Sequence, residues 1–237
     1  MTQRPVLSGQ RRRKILEAAA EVIAERGLSE TRLADVAHRA GTSAALVIYY
    51  FHTKDRLLTE ALTFADDRFY LQAFHEMTEL DRPRDRLVRL IEMSCPARPD
   101  VMADWTLWIE LWTRAQRDGE TARKREALDR RWRTTIADIV REGHRAGEFA
   151  PIDADEFALR LSALIDGLAV QVLLGDPEVT ADRMRKTCLE VSSRELGFDA
   201  EGVPPWSARV GGADRTAPGG RRRHGAAAKM NLPSLGS

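Results

Sequence analysis

No stretch of this chain approaches the roughly 20 consecutive apolar residues needed to span a bilayer. Cysteine is almost absent: Cys95 and Cys188, far apart, are all that its 237 residues contain. That excludes a disulfide scaffold and gives no metal-ligand spacing; two lone cysteines fit buried thiols in a reducing compartment, or at most one redox pair. The formal net charge is only +1, so the molecule is no polycation and any nucleic-acid footprint must be local. The amino end lacks the apolar segment of a secretory signal, so a cytoplasmic location is expected. The five histidines (His38, His52, His75, His144 and His224) are scattered, and no HExxH, P-loop or GxSxG is present. Neither catalysis nor a cofactor is therefore expected. Strand patterning is missing too, since no convincing period-2 run occurs before residue 198.

What the chain does have is helical periodicity. The hydrophobic fraction of 43% and charged fraction of 31% suit a globular protein with a surface rich in ion pairs, and the length allows one large domain or two small ones. Ile15, Leu16, Ala19, Val22 and Ile23 share one face of a first helix, which Gly27 should stop. A second helix runs from about Thr31, a plausible N-cap, to Ala40. Gly41 supplies a tight turn, and Thr42 and Ser43 are placed to cap a third helix reaching Phe51. Thr53 caps a long fourth helix with Leu57, Leu58, Ala61, Leu62, Ala65 and Phe69 on its apolar stripe. Further helices are expected over about 84–95, 100–117, 120–146, 154–174 and 180–196. The prediction is an all-α fold of about nine helices. Residues 199–237 hold 11 Gly or Pro among 39 and no apolar periodicity, so they read as a disordered tail. Arg221, Arg222 and Arg223 within it fit a solvated charge run, or a brush against phosphates.

Residues 27–57 make a short helix, a glycine turn and a second short helix ending in aromatics. That layout is a helix-turn-helix, which presents its second helix to the major groove of DNA. A reading helix needs small residues at its amino end so that the backbone approaches the groove, and Thr42, Ser43, Ala44 and Ala45 provide them. Free N–H groups at a helix start also suit phosphates. Tyr49, Tyr50, His52 and Lys54 add donors at the far end. Tyr49 and Tyr50 point roughly 100° apart, so one of them can equally be core. Over residues 1–60 there are 10 Lys or Arg against 7 Asp or Glu, with Arg11, Arg12, Arg13 and Lys14 the densest cluster. That arm suits phosphate contact, or mere solubility.

From Ile15 to Leu58 the chain resembles the TetR family of transcriptional regulators. The likeness rests on the amphipathic first helix, Gly27, Thr31, Ala40-Gly41, Ser43, Tyr49-Tyr50-Phe51, and Lys54 followed by Asp55 and Leu57. It implies an all-helical homodimer with three amino-terminal helices on double-stranded DNA and a larger ligand-sensing body. The DNA-contacting set it implies, with the residue reading above, is Arg11, Arg12, Arg13, Thr31, Thr42, Ser43, Ala44, Ala45, Tyr49, Tyr50, His52 and Lys54. Ile48 departs from the family, where a tyrosine that commonly contacts DNA is frequent. Isoleucine donates no hydrogen bond, so a methyl–thymine contact replaces it or the contact is absent.

In the second half, Trp105, Trp108 and Trp112 fall at i, i+3 and i+7 and so line one helix face, with Asp104 and Glu110 close by and Trp132 on the next helix. An aromatic wall with a carboxylate suits a quaternary ammonium or polyamine; the same indoles would also serve as filler between helices. Asp166 is the odd residue inside an apolar run and can line a pocket or satisfy a helix terminus. Trp105 to Trp112, Gly147-Glu148-Phe149 and Asp166-Gly167-Leu168 are similar to the BetI-type branch of the family, which includes regulators responding to choline. This resemblance implies a small-molecule effector, with a cationic amine as one candidate. The ligand-site candidates are Trp105, Trp108, Glu110, Trp112, Trp132 and Asp166. Leu159, Leu161, Ala163, Leu164, Leu168, Val172 and Leu173 make the eighth helix apolar on more than one face, as a helix buried on both sides must be; with Met184, Cys188, Val191 and Leu196 it should form a four-helix dimer interface.

The expected organisation is an unstructured arm over 1–10, a helix-turn-helix domain over 11–57, an effector-binding and dimerisation body over 58–198, and the tail. The expected function is a ligand-responsive DNA-binding regulator, a repressor released from a palindromic operator when a small molecule binds. The alternatives are a ligand-independent DNA binder, and an amine-binding protein without operator function.

Overall fold

Helix starts in this chain are chemically marked, and the computed structural model, which describes residues 3–199, places a helix behind each mark. Among those residues there are nine helices and no strand: α1 (Gln3–Glu30), α2 (Leu33–Arg39), α3 (Ala44–Phe51), α4 (Lys54–Met77), α5 (Pro83–Ser94), α6 (Pro99–Ala115), α7 (Gly119–Arg145), α8 (Ala154–Leu173) and α9 (Ala181–Leu196). Side-chain oxygens satisfy the N–H groups left open at a helix start. Ser43 accepts from the Leu46 amide, Thr53 from Arg56, Asp118 from Thr121, Asp153 from Asp155 and Glu156, and Thr180 from Arg183. Proline at the first position opens α5 and α6, where its missing donor is not needed. None of the nine is long and apolar enough to cross a membrane.

Three expectations change. Residues 3–10 are helical and extend α1, so they are not an unstructured arm. Gly27 bends α1 instead of ending it: at φ 75°, ψ 160° the backbone leaves helical geometry for one residue, and a last turn follows to Glu30. Only glycine occupies that region readily. Thr31 is not the N-cap of α2. Arg32 holds that position, and Thr31 is buried with its hydroxyl donating to the Gly27 carbonyl at 2.7 Å. The expected tail, with Arg221 to Arg223, lies from residue 200 onward outside the described residues.

Two apolar clusters organise the helices. One joins α1, α2, α3 and the first half of α4, and is completed by Leu107 and Leu111 of α6 and Leu128 of α7. The other joins the end of α4 with α5 to α9. Trp108 packs against both. The bend at Gly27 strands the Leu28 amide, which donates to the Glu110 carboxylate of α6 at 2.9 Å. Arginines tie α4 to its neighbours: Arg68 reaches Asp104 on α6, and Arg131 on α7 bridges Asp66 and Asp67 while stacking 3.8 Å over the Tyr70 ring.

The eighth helix is two-faced, as its composition suggests. Phe157, Ala158, Leu161, Ile165 and Ala169 enter the core, while Leu159 (45% exposed), Ala163, Gly167 and Leu174 (78% exposed), the last capping its end, face outward. In α9, by contrast, Met184, Cys188 and Leu196 are fully buried in this chain's own core, so they are not free to face a twin. Cys95 and Cys188 are free, buried thiols.

Gly143 on α7 is where the packing is tightest. A Cβ there would sit 2.0 Å from the Phe149 ring, inside any real contact distance. Gly143→Ala should therefore cost about 1–3 kcal/mol through overpacking despite alanine's better helix propensity, and Phe149→Leu in the same chain should return part of it. Urea unfolding of the three variants checks this.

Candidate functional site

Two regions bring the candidate residues together. The first is the surface of α3. Thr42 follows Gly41, whose positive φ of 63° makes the turn from α2, and the Thr42 amide closes on the Ala37 carbonyl at 2.9 Å. From this turn Ser43, Ala45, Ile48 and Tyr49 point outward, Ile48 at 49% and Tyr49 at 72% exposure. Side by side, these two form a small apolar patch on the exposed flank of α3. Ala44 and Thr42 are half-buried. Tyr49 meets Tyr50 edge to face at 5.4 Å, and Tyr50 leans on the core of the amino-terminal helices, so the two tyrosines divide the outward and inward roles.

The link from α3 to α4 is two residues, His52 and Thr53, and the first of them is strained. His52 has φ 60°, ψ −49°, and the Thr53 amide reaches back across it to the Phe51 carbonyl at 2.6 Å. This is the rare, positive-φ form of the γ-turn, held by a non-glycine residue, and His52 itself is exposed. Lys54, the first residue of α4, sends its ammonium to the Ser29 carbonyl at 3.1 Å, which parks the charge beside the last turn of α1. In the basic stretch, Arg12 pairs with Glu60 and covers the Phe51 ring, and Arg13 pairs with Glu17 at 3.1 Å and covers Phe64. Arg11 is exposed and makes no ion pair among the described residues. Thr31, at 1% exposure, stands behind this surface and not on it.

The second region is a cavity of about 100 Å³ inside the body. Leu62, Ala65, Asp66 and Phe69 come from α4, a spacing that puts 62, 66 and 69 on one face. Val101, Asp104, Trp105 and Trp108 come from α6, Asp129 and Trp132 from α7, and Ser162, Ile165 and Asp166 from α8, with Met93 and Ser94 closing it from α5. Trp105 donates its indole N–H to the Ser94 carbonyl at 2.8 Å; this fixes the ring. Trp132 lies 6.0 Å from Phe69, edge to face. Of the six candidates, Trp105, Trp108, Trp132 and Asp166 line the cavity. Trp112 stands behind them, 6.3 Å from Trp105 and 6.1 Å from Trp108. Glu110 is elsewhere: one helical step from the indole face, it is spent on the Leu28 amide. An outer cleft of about 1010 Å³ beside α1 and α4 is larger, but charged side chains of both signs line it, among them Arg12, Asp55, Arg56, Asp118 and Lys124. It offers no wall of one chemistry.

Three lining residues, Asp66, Phe69 and Asp129, escape the sequence reading. Their signal is faint but present, since Asp66 is a carboxylate set beside the apolar stripe of α4. Burial pushes Asp66 and Asp166 up to about 7, against an ordinary carboxylate near 4. For Asp66 the Arg131 charge opposes that rise; for Asp166 the neighbouring Asp129 adds to it. Asp104 and Asp129 are raised as well, again chiefly by burial. A box of indole faces and desolvated carboxylates is built to stabilise a cation.

The family model of the C-terminal part of BetI-type transcriptional repressors matches residues 83–197, and that of the tetR family of bacterial regulatory proteins matches residues 15–61. The chain is similar to the HTH-type transcriptional regulator BetI of Rhizobium meliloti (30% identical, covering 82% of this chain and 94% of the relative). It is similar to BetI of Burkholderia thailandensis as well (30% identical, 70% and 84% covered). Among solved structures, a putative transcriptional regulator from Saccharomonospora viridis in complex with choline is 36% identical, with 79% of this chain and 98% of that one covered and a TM-score of 0.74. A putative TetR-family regulator from a Rhodococcus species is 29% identical, with a TM-score of 0.70. With the reading head, the helical body and the relatives in agreement, the chain belongs to the TetR family of bacterial DNA-binding transcriptional regulators and carries the BetI-type C-terminal domain.

Proposed function

We propose that this regulator is a homodimeric repressor that leaves a palindromic operator when a quaternary ammonium compound of choline's class fills the cavity between α4, α6, α7 and α8. The observation that carries the reading is the cavity's chemistry: three indoles and a phenyl ring around four carboxylates. Each aromatic face contributes about 0.5–2 kcal/mol to a desolvated cation. The volume is on the scale of small ligands; a benzene ring occupies a cavity of about 150 Å³. The choline bound by the 36%-identical Saccharomonospora viridis protein supports the same ligand class.

On the DNA side, Thr42, Ser43, Ala45 and Tyr49 face base edges from the amino-terminal half and outer flank of α3, and Ile48 meets a thymine methyl. Arg11, Arg12, Arg13, His52 and Lys54 hold phosphates, which makes affinity salt-dependent. The outward apolar strip of α8, with Leu159, Ala163, Gly167 and Leu174, packs on its twin across a two-fold axis. The two α3 helices then enter successive major grooves.

Binding reaches the DNA through α4. Its Asp66 and Phe69 stand in the cavity wall and its first residue, Lys54, adjoins the His52 turn after α3. Asp66 and Asp104 are the carboxylates that Arg131 and Arg68 use to hold α4 against α7 and α6. A cation seated in the cavity takes up space against Leu62 and Phe69 of α4 and so shifts the helix while those ion pairs stay closed. Only a ligand with higher affinity for the shifted form moves the equilibrium.

Titration calorimetry with choline tests the ligand class: wild type should give saturable heat, and Trp108→Ala should weaken binding by about tenfold, the loss of one strong cation–π contact. Absence of heat with choline and with other quaternary ammonium ions removes the reading. In a mobility-shift assay on the DNA upstream of the chain's own gene, choline should release the complex. Tyr49→Ala should weaken binding by about tenfold, as expected for one lost polar contact, without altering calorimetric choline affinity. Leu159→Glu places a charge in the α8 strip and should convert dimer to monomer in sedimentation velocity.

A further inference from the structure

Four carboxylates face the cavity, and three guanidiniums answer them. Asp66 is met by Arg131 at 3.0 Å, Asp104 by Arg68 at 3.0 Å, and Asp129 by Arg125 one helical turn back. Asp166, from α8, makes no hydrogen bond or ion pair among the described residues; Arg133 acts on it only through space. Arg131 is shared with Asp67, but Asp67 faces the outer cleft and is better hydrated. Asp166 is therefore the one carboxylate of the four without a guanidinium bonded to it among the described residues.

We infer that Asp166 is the counter-ion that sets the cavity's selectivity, matching it to a singly charged onium and against diamines and polyamines. The inference rests on the onium reading of the cavity and adds the charge state of the ligand. A monocation placed among Trp105, Trp108 and Trp132 pairs with Asp166 and leaves every charge answered. A second ammonium on the same ligand meets carboxylates already held by arginine. It must stay unpaired in an apolar box or evict a guanidinium that fastens α4, and either course is costly. The choice between choline and a polyamine, open in the sequence, is decided by this count. Asp166 also explains its own placement: an unpaired carboxylate in an apolar helix costs stability, and a ligand that pairs with it recovers that cost on binding.

The groups around Asp166 are Asp129 and Arg133 on α7, Asp66 on α4 and Asp104 on α6; α9 supplies no lining residue. Without a cation, burial and the Asp129 charge hold the Asp166 proton up to about 7. An onium selects the ionised carboxylate, so binding releases protons below that pH. Affinity should rise from pH 5 toward 7, by up to about tenfold per unit for each proton released, and level off above about 7.

The test is titration of wild type and Asp166→Asn with three probes: choline, its neutral carbon isostere 3,3-dimethyl-1-butanol, and the diamine putrescine. Wild type should prefer choline to the isostere and to putrescine, each by about tenfold or more. Asp166→Asn should weaken choline by about thirtyfold, leave the isostere within about twofold, and reduce the pH dependence to the share that Asp66 supplies. Isostere binding reports the fold of the variant's cavity, which a merely structural role would disturb. Unchanged choline affinity in Asp166→Asn, or putrescine binding as tightly as choline, overturns the inference while leaving the onium reading intact. Silence with choline and isostere alike overturns both.

Discussion

Where α1 breaks at Gly27, a body carboxylate takes over the job of the missing helical acceptor. The Leu28 N–H lost its partner to the bend, and Glu110 of α6 provides one at 2.9 Å. An amide left unsatisfied in such a place costs about 1–3 kcal/mol, so the bend and the carboxylate stabilise one another. The consequence reaches past one bond. The amino-terminal helices have no closed core of their own, since Leu107, Leu111 and Leu128 of the body complete it. Reading head and body thus share an interior, and a displacement of α6 is felt at the end of α1. A two-domain description by function, head and sensor, does not correspond to two separately packed units.

The same economy governs the cavity. Its carboxylates are not decoration around a ligand site; two of them, Asp66 and Asp104, are the anchors by which arginines fix α4. The lining of the cavity and the fastening of the long helix draw on one set of charges. Trp108 adds an apolar counterpart, because it touches both core clusters and the cavity at once. Occupancy of a site assembled this way bears directly on the wall that carries α4. Such coupling needs differential affinity between two arrangements and not a separate relay.

Much of this was legible in the residues. Caps at Ser43 and Thr53, glycine turns and 3.6-residue periodicity place the starts of α2 to α9 within about two residues, because those signals are local and chemical. The misplacements have physical reasons. Thr31 is a good capping residue, but the bend at Gly27 turns its hydroxyl inward to a carbonyl. Glu110 lies beside three tryptophans in sequence yet points away, since one residue is about 100° of helix rotation. Met184, Cys188 and Leu196 read as a partner-facing stripe because a buried face looks alike whichever body buries it. Asp66, Phe69 and Asp129 were missed because the cavity gathers them from two helices, and pairing across helices is not written in local spacing.

His52 carries a consequence of its own. Asp66 lies 12 residues from Lys54, about 18 Å along α4, and the joint beyond is two residues long, locked by the Thr53 amide on the Phe51 carbonyl. A hinge that short has no slack to absorb motion. A tilt of α4 by about 5° over that length is a sideways travel of about 1.6 Å, delivered to α3 in full. Leverage on that scale exceeds the tolerance of a base-edge hydrogen bond, so even a slight tilt of α4 deep in the body is large when measured at the tip of α3.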